Sequence, residues 1–534
     1  MLSRGARRAL TTSVVYTHRW LGIVGCLLFL AWFLSGIVLM YARMPSLSAE
    51  ERLARVPALA VDRIQVAPAD AVHASSLTDV RSIRLGMSGE RPVYRLAAGR
   101  MTAMVFADTG APADRLDVTS ARAVVAPFAA RAAQLAADTP VRRLDSPDQW
   151  TLSSALPGYF PLYRVPLNDS AGTEIYVSAI TAEPILKTTR SGRTWGYLGA
   201  VLHWLYFTPL RRHSELWTNV VIYTSLAGCV MCLSGLAWGA WRLSPFGRYR
   251  LRRHPSHTPY AGMMRWHHYA GLLFGLTTFT WMLSGLLSMT PWDWNAGTSP
   301  SRPQREGAAG GTYSLAGISA DGLRMALRTL SAAFVIKEIE VLQVDGERFY
   351  RAYRTPERDQ AGLWTNTDLE GYLTPQTTLE ERLLSVDQPS APPFRAFDRA
   401  RIERAAQAAM PGVVFESLVW LKEFDNYYYG RSGSRPLPVL RARFRDAEAT
   451  ALYLDPRSGE IVRREDRRTR IERWLYHGLH SLDVAWLYRR RPLWDIVVVG
   501  LSAGGLVLCA SSAAHAWHRL RRHARRMWPS RTDV

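Results

Sequence analysis

Histidine is the residue type whose positions in this chain indicate metal chemistry. Twelve of its 13 copies lie at or near the ends of apolar segments, and the long polar segments contain only His73. Ionisable side chains are costly in or beside a membrane span, so they usually serve a function there. His18 recurs as His267, and His203 recurs as His480, at matching positions in two halves of the chain. We interpret both pairs as ligands of a bound group.

The group that best fits two paired imidazoles is a b-type haem, whose iron takes one axial ligand from each side. Zinc prefers a tetrahedral site that thiolate, carboxylate or a third imidazole completes. Covalent attachment of haem is not expected, because the sequence contains no Cys-x-x-Cys-His motif. We therefore predict two b-type haems. His18 and His267 hold one near the inner membrane face, and His203 and His480 hold the other near the outer face.

Two further histidines are alternative axial ligands, although neither has a histidine partner in the repeat. His477 precedes His480 by three residues on a similar helical face, and it matches Ala200. His515 lies at the inner end of the last apolar segment and matches Trp238. Arginines near these histidines are candidates for pairing with haem propionates. They are Arg19, Arg211, Arg212, Arg265, Arg489 and Arg490.

The repeat that pairs the histidines extends over much of the chain. Residues 17–41 align with residues 266–290 at an offset of 249, and residues 148–243 align without a gap with residues 425–520 at an offset of 277. An internal repeat predicts two similar halves. Because the first span of each half crosses in the same direction, the predicted pseudo-twofold axis runs along the membrane normal.

Four apolar segments approach or exceed the roughly 20 residues that a membrane-spanning helix needs. They are residues 20–41, 216–241, 269–290 and 493–517. Short basic segments flank these spans, and the positive-inside rule assigns such segments to the cytoplasm. The basic segments are residues 4–8, 242–253 and 519–531. Both termini are therefore predicted to be cytoplasmic, and the first span is interpreted as an uncleaved anchor.

The net charge of +21 does not indicate a nucleic-acid partner. Only three of the 66 basic residues are lysine, so the charge is almost entirely arginine. No DNA- or RNA-binding motif is visible in the sequence. We therefore predict the lipid bilayer, and no nucleic acid, as a partner.

These observations predict a membrane α-helical bundle of four spans with a parallel internal duplication, together with two exported α+β domains. Strands that alternate with turns, without long apolar helices, indicate the α+β class for the exported segments. The predicted order is a basic tail (1–13), the first span (14–41), an exported domain (42–192), an interfacial helix (193–208), the second span (216–242), a cytoplasmic loop (243–261), the third span (262–290), a second exported domain (291–470), an interfacial helix (471–487), the fourth span (492–519) and a basic tail (520–534).

Several short patterns resemble the PepSY-associated transmembrane family. They are His18-Arg-Trp-Leu-Gly, the span ends Leu34-Ser-Gly and Leu283-Ser-Gly, Leu202-His203, and Leu479-His480 with Leu482-Asp483. The strand–turn units at 92–110 and 438–459 resemble PepSY modules. The resemblance covers nearly the full length. It implies a bacterial inner-membrane protein associated with iron or siderophore uptake, and some members of the family are di-haem reductases.

The function that we expect is electron transfer through two haems to an acceptor outside the inner membrane, with a ferric siderophore as the acceptor. No G-x-G-x-x-G motif follows a strand. The electron donor is therefore expected to be quinol or a separate cytoplasmic reductase. One alternative is a non-redox PepSY protein that binds or regulates a periplasmic partner such as a peptidase, and another is a transporter built on the parallel repeat.

Overall fold

The computed structural model describes residues 3–130, 135, 139–251, 254–356, 379–430 and 435–527. The chain forms two compact units, which are described separately. The first unit contains Met1–Arg43, Trp195–Asn295 and Arg470–Val534, and the second contains Met44–Thr194 and Ala296–Thr469. Residues 528–534 of the predicted basic tail lie outside the described residues.

Four helices of the first unit are long and apolar enough to cross a membrane. They are α1 (Arg4–Leu39), α8 (Ser214–Arg242), α9 (Met263–Ser288) and α15 (Leu493–Met527). Each contains one of the four apolar segments, in which a helix satisfies every backbone hydrogen bond without water. The predicted bundle of four membrane helices is confirmed.

The helices pack so that α8 and α15 each contact both α1 and α9. Helices α1 and α9 therefore lie diagonally opposite each other in the bundle. Between them is a core of aromatic, sulfur-containing and aliphatic side chains, which includes Phe29, Phe33, Cys229, Met282 and Cys509. The diagonal arrangement lets residues of α1 and α9 approach one another across the bundle axis.

Short helices precede α8 and α15. They are α5 (Arg190–Gly196), α6 (Leu202–Trp204) and α7 (Thr208–Arg211) before α8, and α13 (Arg467–Arg473) and α14 (Ala485–Tyr488) before α15. The sequence predicted one interfacial helix at residues 193–208 and another at residues 471–487. Each of these segments instead contains five residues of π-helix, and a residue at positive φ, Leu205 or Leu482, interrupts it. A left-handed residue cannot continue a right-handed helix.

The described residues of the second unit form three antiparallel sheets. The six-stranded sheet has the order β12-β11-β10-β1-β2-β3, and two four-stranded sheets are formed by β4 to β7 and by β13 to β16. Their bounds are β1 (Ser82–Ser88), β2 (Arg91–Ala98), β3 (Met101–Phe106), β4 (Arg142–Leu144), β5 (Leu162–Pro166), β6 (Glu174–Ser178), β7 (Pro184–Thr188), β10 (Glu338–Val344), β11 (Glu347–Arg354), β12 (Glu380–Ser385), β13 (Phe415–Leu421), β14 (Val439–Phe444), β15 (Ala451–Leu454) and β16 (Ile461–Glu465). A short hairpin of β8 (Tyr249–Leu251) and β9 (His254–Ser256) belongs to the first unit.

Six helices complete the second unit. They are α2 (Ala49–Ala54), α3 (Pro68–Ser75), α4 (Val118–Val125), α10 (Arg302–Ala309), α11 (Ala320–Ala333) and α12 (Arg399–Ala408). One core joins α3 and α11 to the six-stranded sheet, with Leu85, Tyr94 and Leu327 fully or almost fully buried. Helix α4 packs on β5 and β6, and α12 packs on β14 and β15. The strands and helices of this unit confirm its α+β class.

The six-stranded sheet draws β1 to β3 from the segment between α1 and α8, and β10 to β12 from the segment between α9 and α15. The two sets meet where β1 pairs with β10, in a register that sets Arg84 opposite Glu340 and Leu85 opposite Ile339. The sequence predicted two exported domains, and the structure adds that the two segments share one sheet and one compact unit.

The two four-stranded sheets have the same order of antiparallel strands. Strand β6 begins at Glu174 and β15 begins at Ala451, which are positions that the second alignment places opposite each other. Helices α5 and α13 begin at matching positions too, and so do the two π-helices. These elements therefore follow the offset at which the sequence aligns, while the duplication itself stays an interpretation of the sequence.

A cluster of buried charges joins the six-stranded sheet to the loop before β7. Glu183 contacts Arg84 at 2.8 Å and Arg52 at 3.1 Å, and Arg95 lies 3.8 Å away. Glu338 contacts Arg52 at 2.9 Å and Arg84 at 3.2 Å. Burial alone raises the pKa of Glu183, but the three arginines outweigh burial and hold that pKa well below its usual range. Glu183 is therefore ionised within the protein.

Candidate functional site

The first unit brings together the two histidine pairs that the sequence predicted. The ring centroids of His18 on α1 and His267 on α9 are 6.2 Å apart, with an angle of 47° between the ring planes. The ring centroids of His203 on α6 and His480, which follows the second π-helix, are 6.0 Å apart, with an angle of 70°. Each pair joins one residue from each half of the chain.

Both separations fit two imidazoles that bind one metal ion from opposite sides. A bond between a metal and an imidazole nitrogen is about 2.1 Å long. Each nitrogen of an imidazole ring lies about 1.1 Å from the centre of the ring. The two ring centres of an axial pair are therefore about 6.4 Å apart. The separations of the ring centres thus match those of bis-imidazole ligation.

Hydrogen bonds fix the tautomer of the inner pair. Nδ1 of His18 donates to the carbonyl oxygen of Met231 on α8 at 2.9 Å, and a carbonyl only accepts. Nδ1 of His267 lies 3.0 Å from Oγ of Ser511 on α15. That hydroxyl donates its own hydrogen to the carbonyl of Leu508, so it accepts from His267. Both rings therefore carry hydrogen on Nδ1, which leaves the Nε2 lone pair for a metal.

The outer pair has the same tautomer for the same reason. Nδ1 of His203 donates to the carbonyl of Trp32 at 3.1 Å and lies 3.2 Å from Oγ of Ser35. Nδ1 of His480 lies 3.0 Å from Oγ of Ser284. Each serine donates to the carbonyl three residues earlier in its helix, so each accepts from its histidine. Four histidines thus share one protonation pattern, which suits metal ligation through Nε2.

The environment of His203 keeps its ring neutral. Burial lowers the pKa of His203 to about 4, and the hydrogen bond to Trp32 opposes this shift only in part. A metal ligand must be neutral imidazole, because protonation removes the lone pair that binds the metal. His203 is therefore ready to bind a metal at neutral pH.

A cavity of about 510 Å³ lies beside the inner pair. Its volume is within the range of about 300–1,000 Å³ that is usual for cofactor and ligand pockets. Its walls are mainly apolar, with glycine at several positions where the helices separate. The histidines, arginines and cysteines of the lining are His18, Arg19, Cys26, Cys232, His267, His268, Cys509, His515, Arg519 and Arg522. Apolar walls, imidazoles and arginines are the features that a haem with two propionates requires.

Three nitrogen atoms of this lining lack a hydrogen-bond partner among the described residues. They are Nε of Arg19, Nδ1 of His268 and Nε2 of His515, and all three atoms are buried. Unsatisfied polar atoms are rare in protein interiors and need an explanation. An acid group of a bound cofactor would satisfy the Arg19 guanidinium, and a metal would satisfy His515.

The other arginines that the sequence proposed as propionate partners lie at several places. Arg211 lies over the ring of Trp217 at 4.7 Å, and Arg490 lies over the ring of Trp486 at 5.9 Å. Arg265 lies over Tyr269 at 5.6 Å, Arg212 follows α7, and Arg489 follows α14. Only Arg19 of the proposed set lines the described cavity. A propionate role for the remaining arginines stays a prediction.

The two alternative ligands differ in their surroundings. The ring of His515 lies 6.4 Å from that of His267, at an angle of 87°. The ring of His477 lies against Tyr476 at 4.5 Å, and its carbonyl accepts hydrogen bonds from the backbone of Ser481 and Asp483. His515 thus belongs to the inner cluster, while His477 helps to shape the turn after His480.

Sequence reasoning missed several parts of the site. Ser35 and Ser284 recur in the first alignment, but the sequence did not show that they hold the outer histidines. Arg519 and Arg522 line the cavity, although the sequence placed them only in a basic segment. The π-helices before His203 and His480 leave no signal in composition, and π-turns are frequent at functional sites.

Comparison with known families gives one match. Residues 15–318 match the family described as the PepSY-associated TM region, and this span is more than half of the chain. No curated protein matches the chain. The matched span contains most of α1 and all of α6, α8 and α9, and with them His18, His203 and His267.

Proposed function

We propose that this chain, which belongs to the PepSY-associated TM family, binds two b-type haems and carries electrons across a membrane. The chain is a multi-pass membrane protein. The observation that carries the proposal is the pair of facing imidazoles at each end of the bundle, with Nδ1 as hydrogen-bond donor in all four rings. A haem held by two imidazoles exchanges one electron at its iron.

The protein holds the four rings from neighbouring helices rather than from their own. Helices α8 and α15 supply the acceptors for the inner pair, and α1 and α9 supply those for the outer pair. Such partners orient a ligating histidine and raise its basicity. Rings that are fixed before the cofactor arrives lose little entropy when they bind it.

The spacing of the pairs suits transfer across a bilayer. Ser35, which contacts His203, is on the same helix as His18, and Ser284, which contacts His480, is on the same helix as His267. On each helix, the stretch from the histidine to the serine spans about 25 Å, against a hydrocarbon thickness of about 30 Å. The pairs therefore lie near opposite faces.

Packed aromatic side chains lie between the inner and the outer histidine pairs. Phe29 lines the inner cavity, its ring lies 5.7 Å from that of Trp32, and the carbonyl of Trp32 accepts from His203. The ring of Phe33 lies 5.6 Å from that of Trp281 in the other half. These contacts exclude water from the path and keep the distance between the levels constant.

The charges at the ends of the spans support an orientation of the chain in the membrane. Arginines gather at the start of α1, after α8 and at the end of α15, which favours a cytoplasmic position for these ends by the positive-inside rule. The proposal thus assigns the chain to a bacterial inner membrane, with both termini cytoplasmic and the second unit periplasmic. His18 and His267 then face the electron donor, which is quinol or a separate cytoplasmic reductase.

The proposed acceptor is a ferric siderophore in the periplasm. Hard oxygen ligands hold ferric iron, and reduction weakens their hold, so one electron per iron releases the metal. Electron delivery at the outer face therefore fits a role in iron uptake. The family membership supports this assignment only at the level of a membrane protein.

The proposal is tested by the absorption spectrum of the protein, made in haem-replete cells and purified in detergent. We expect a Soret band, sharp α and β bands after reduction with dithionite, and two haems for each chain. A colourless protein would reject haem binding, and the non-redox binding function would then remain. Reduction of the oxidised protein by a quinol, followed by loss of the reduced bands when a ferric siderophore is added, tests the donor and the acceptor.

Substitution of Gly235 is expected to disturb only the inner haem. A Cβ at this position of α8 would overlap the His18 ring, since it would lie 2.6 Å from Nδ1. Gly235→Ala therefore displaces His18 from the carbonyl of Met231 and changes the electron paramagnetic resonance signal of the inner haem. Gly500→Ala is the matched control, because a Cβ there meets no atom within 4 Å. Equal spectra for the two variants would contradict the assignment of His18.

A further inference from the structure

The inner site contains more imidazoles than one haem needs. His267 lies 6.2 Å from His18 on one side and 6.4 Å from His515 on another, measured between ring centroids. Both separations match the value of about 6.4 Å expected for two imidazoles that share a metal ion. Three helices, α1, α9 and α15, thus contribute one ring each.

The surroundings of His515 indicate a ligand rather than a packing residue. Its Nε2 is buried and has no hydrogen-bond partner among the described residues, although the ring lines the cavity. A buried nitrogen without a partner has lost its hydrogen bond to water without a replacement, which is unfavourable. A metal bond would remove that cost whenever His515 is the ligand.

The His267 ring can rotate between two hydrogen-bond acceptors. Its Nδ1 lies 3.0 Å from Oγ of Ser511 and 3.5 Å from Oγ of Ser512. The two hydroxyls are on successive residues of α15, so the ring keeps an acceptor for Nδ1 as it rotates between them. His18 has a single carbonyl, that of Met231, in the corresponding role.

We propose that His515 is a reserve axial ligand of the inner haem, which exchanges with His18 while His267 stays bound. The inference rests on the proposed function. In the exchange, the bond from iron to Nε2 of His18 breaks and a bond to Nε2 of His515 forms. Both imidazoles are neutral, so no proton or electron is transferred. With either His18 or His515 bound, a haem held here would keep two imidazole ligands.

The proposed exchange concerns the inner site, and the third imidazole near the outer site has different surroundings. The outer counterpart of a third imidazole is His477, and its ring packs against Tyr476. In the first half of the chain, Trp238 stands at the position that matches His515 of the second half. Its indole nitrogen donates to the hydroxyl of Tyr260 at 2.8 Å. The reserve ligand is thus a property of one haem and one half of the chain.

The test compares His18→Ala with the double substitution His18→Ala and His515→Ala. The single variant is expected to keep two haems per chain, with the inner haem low-spin and unable to bind carbon monoxide. The double variant is expected to lose the inner haem, or to hold it high-spin and bind carbon monoxide. Haem content, electron paramagnetic resonance and the spectrum with carbon monoxide measure these outcomes.

The outer haem serves as the internal control for folding, because neither substitution touches its ligands. If the wild-type chain has two haems and His18→Ala alone loses the inner haem or makes it high-spin, the reserve-ligand proposal is wrong. If the double variant still has a low-spin inner haem, it is also wrong. A wild-type chain without haem would instead reject the proposed function.

Discussion

His203→Ala is expected to reduce the haem content from two to one per chain, and His480→Ala is expected to do the same. Each substitution removes one of the two imidazoles that face each other 6.0 Å apart at the outer level. A single remaining imidazole cannot hold the iron from both sides. The measurement is the ratio of haem to protein, together with the height of the reduced α band, which should fall by about half.

A matched control is available in the second unit. His73 is exposed at the end of α3 and belongs to neither pair, so His73→Ala should keep both haems. The inner haem reports whether the His203→Ala protein is folded. Two haems with unchanged spectra in both outer variants would show that the outer pair does not bind haem.

The outer site should also tolerate moderately acidic conditions. Because burial lowers the pKa of His203 to about 4, the ring stays neutral as the pH falls from 7 to 5. Protons compete with the metal only when the pH approaches the pKa of the folded protein. Protonation of His203 should therefore release the outer haem only near or below pH 4, rather than near the ordinary histidine pKa of about 6.5. Absorption spectra at a series of pH values follow this loss.

The sequence carried enough information to pair the histidines, and the reason is physical. An imidazole beside an apolar segment is costly, so its recurrence at a fixed offset marks a shared role. His18 with His267 and His203 with His480 were found in this way, before any packing was known. The four spans followed from length and polarity alone, because a bilayer imposes both.

The parts that the sequence did not predict depend on contacts between distant segments. The alignment at an offset of 249 places Ser35 opposite Ser284. Only the packing of the π-helices against α1 and α9 brings these serines to His203 and His480. His515 has no equivalent in the first half, so the repeat alone could not choose between it and His18. Their nearly equal distances from His267 become visible only in the folded bundle.

The second unit shows the same limit. Local alternation predicted strands and turns, but nothing local indicates that β1 pairs with β10, which comes from the other long polar segment. Arg84 and Glu338 each lie on an ordinary strand in the sequence. Their contact at 3.2 Å arises from the sheet that the two polar segments share.

Glu183→Gln is expected to destabilise the second unit by about 3–5 kcal/mol, the usual cost of removing one partner from a buried ion pair. Its carboxylate is almost fully buried and contacts Arg84 and Arg52, with Arg95 close by. The amide leaves these arginines with Glu338 as the remaining carboxylate of the cluster. The amides of β1 and β2 should therefore exchange about a hundredfold or more faster, as measured by hydrogen exchange on the full chain.

Asp145→Asn is the matched control, because Asp145 pairs with Arg143 at 3.0 Å while both side chains are more than half exposed. Exposed pairs contribute about 0–1 kcal/mol, so protection should change little.

The same buried carboxylate of Glu183 predicts a pH dependence. Since the arginines hold the pKa of Glu183 below its unfolded value of about 4.3, its stabilisation is complete above that pH and is lost as the pH falls further. Wild-type protection in β1 and β2 should therefore decline below about pH 4, and the Glu183→Gln variant should lack this part of the decline. Equal pH profiles for the two proteins would mean that the buried cluster does not stabilise the shared sheet.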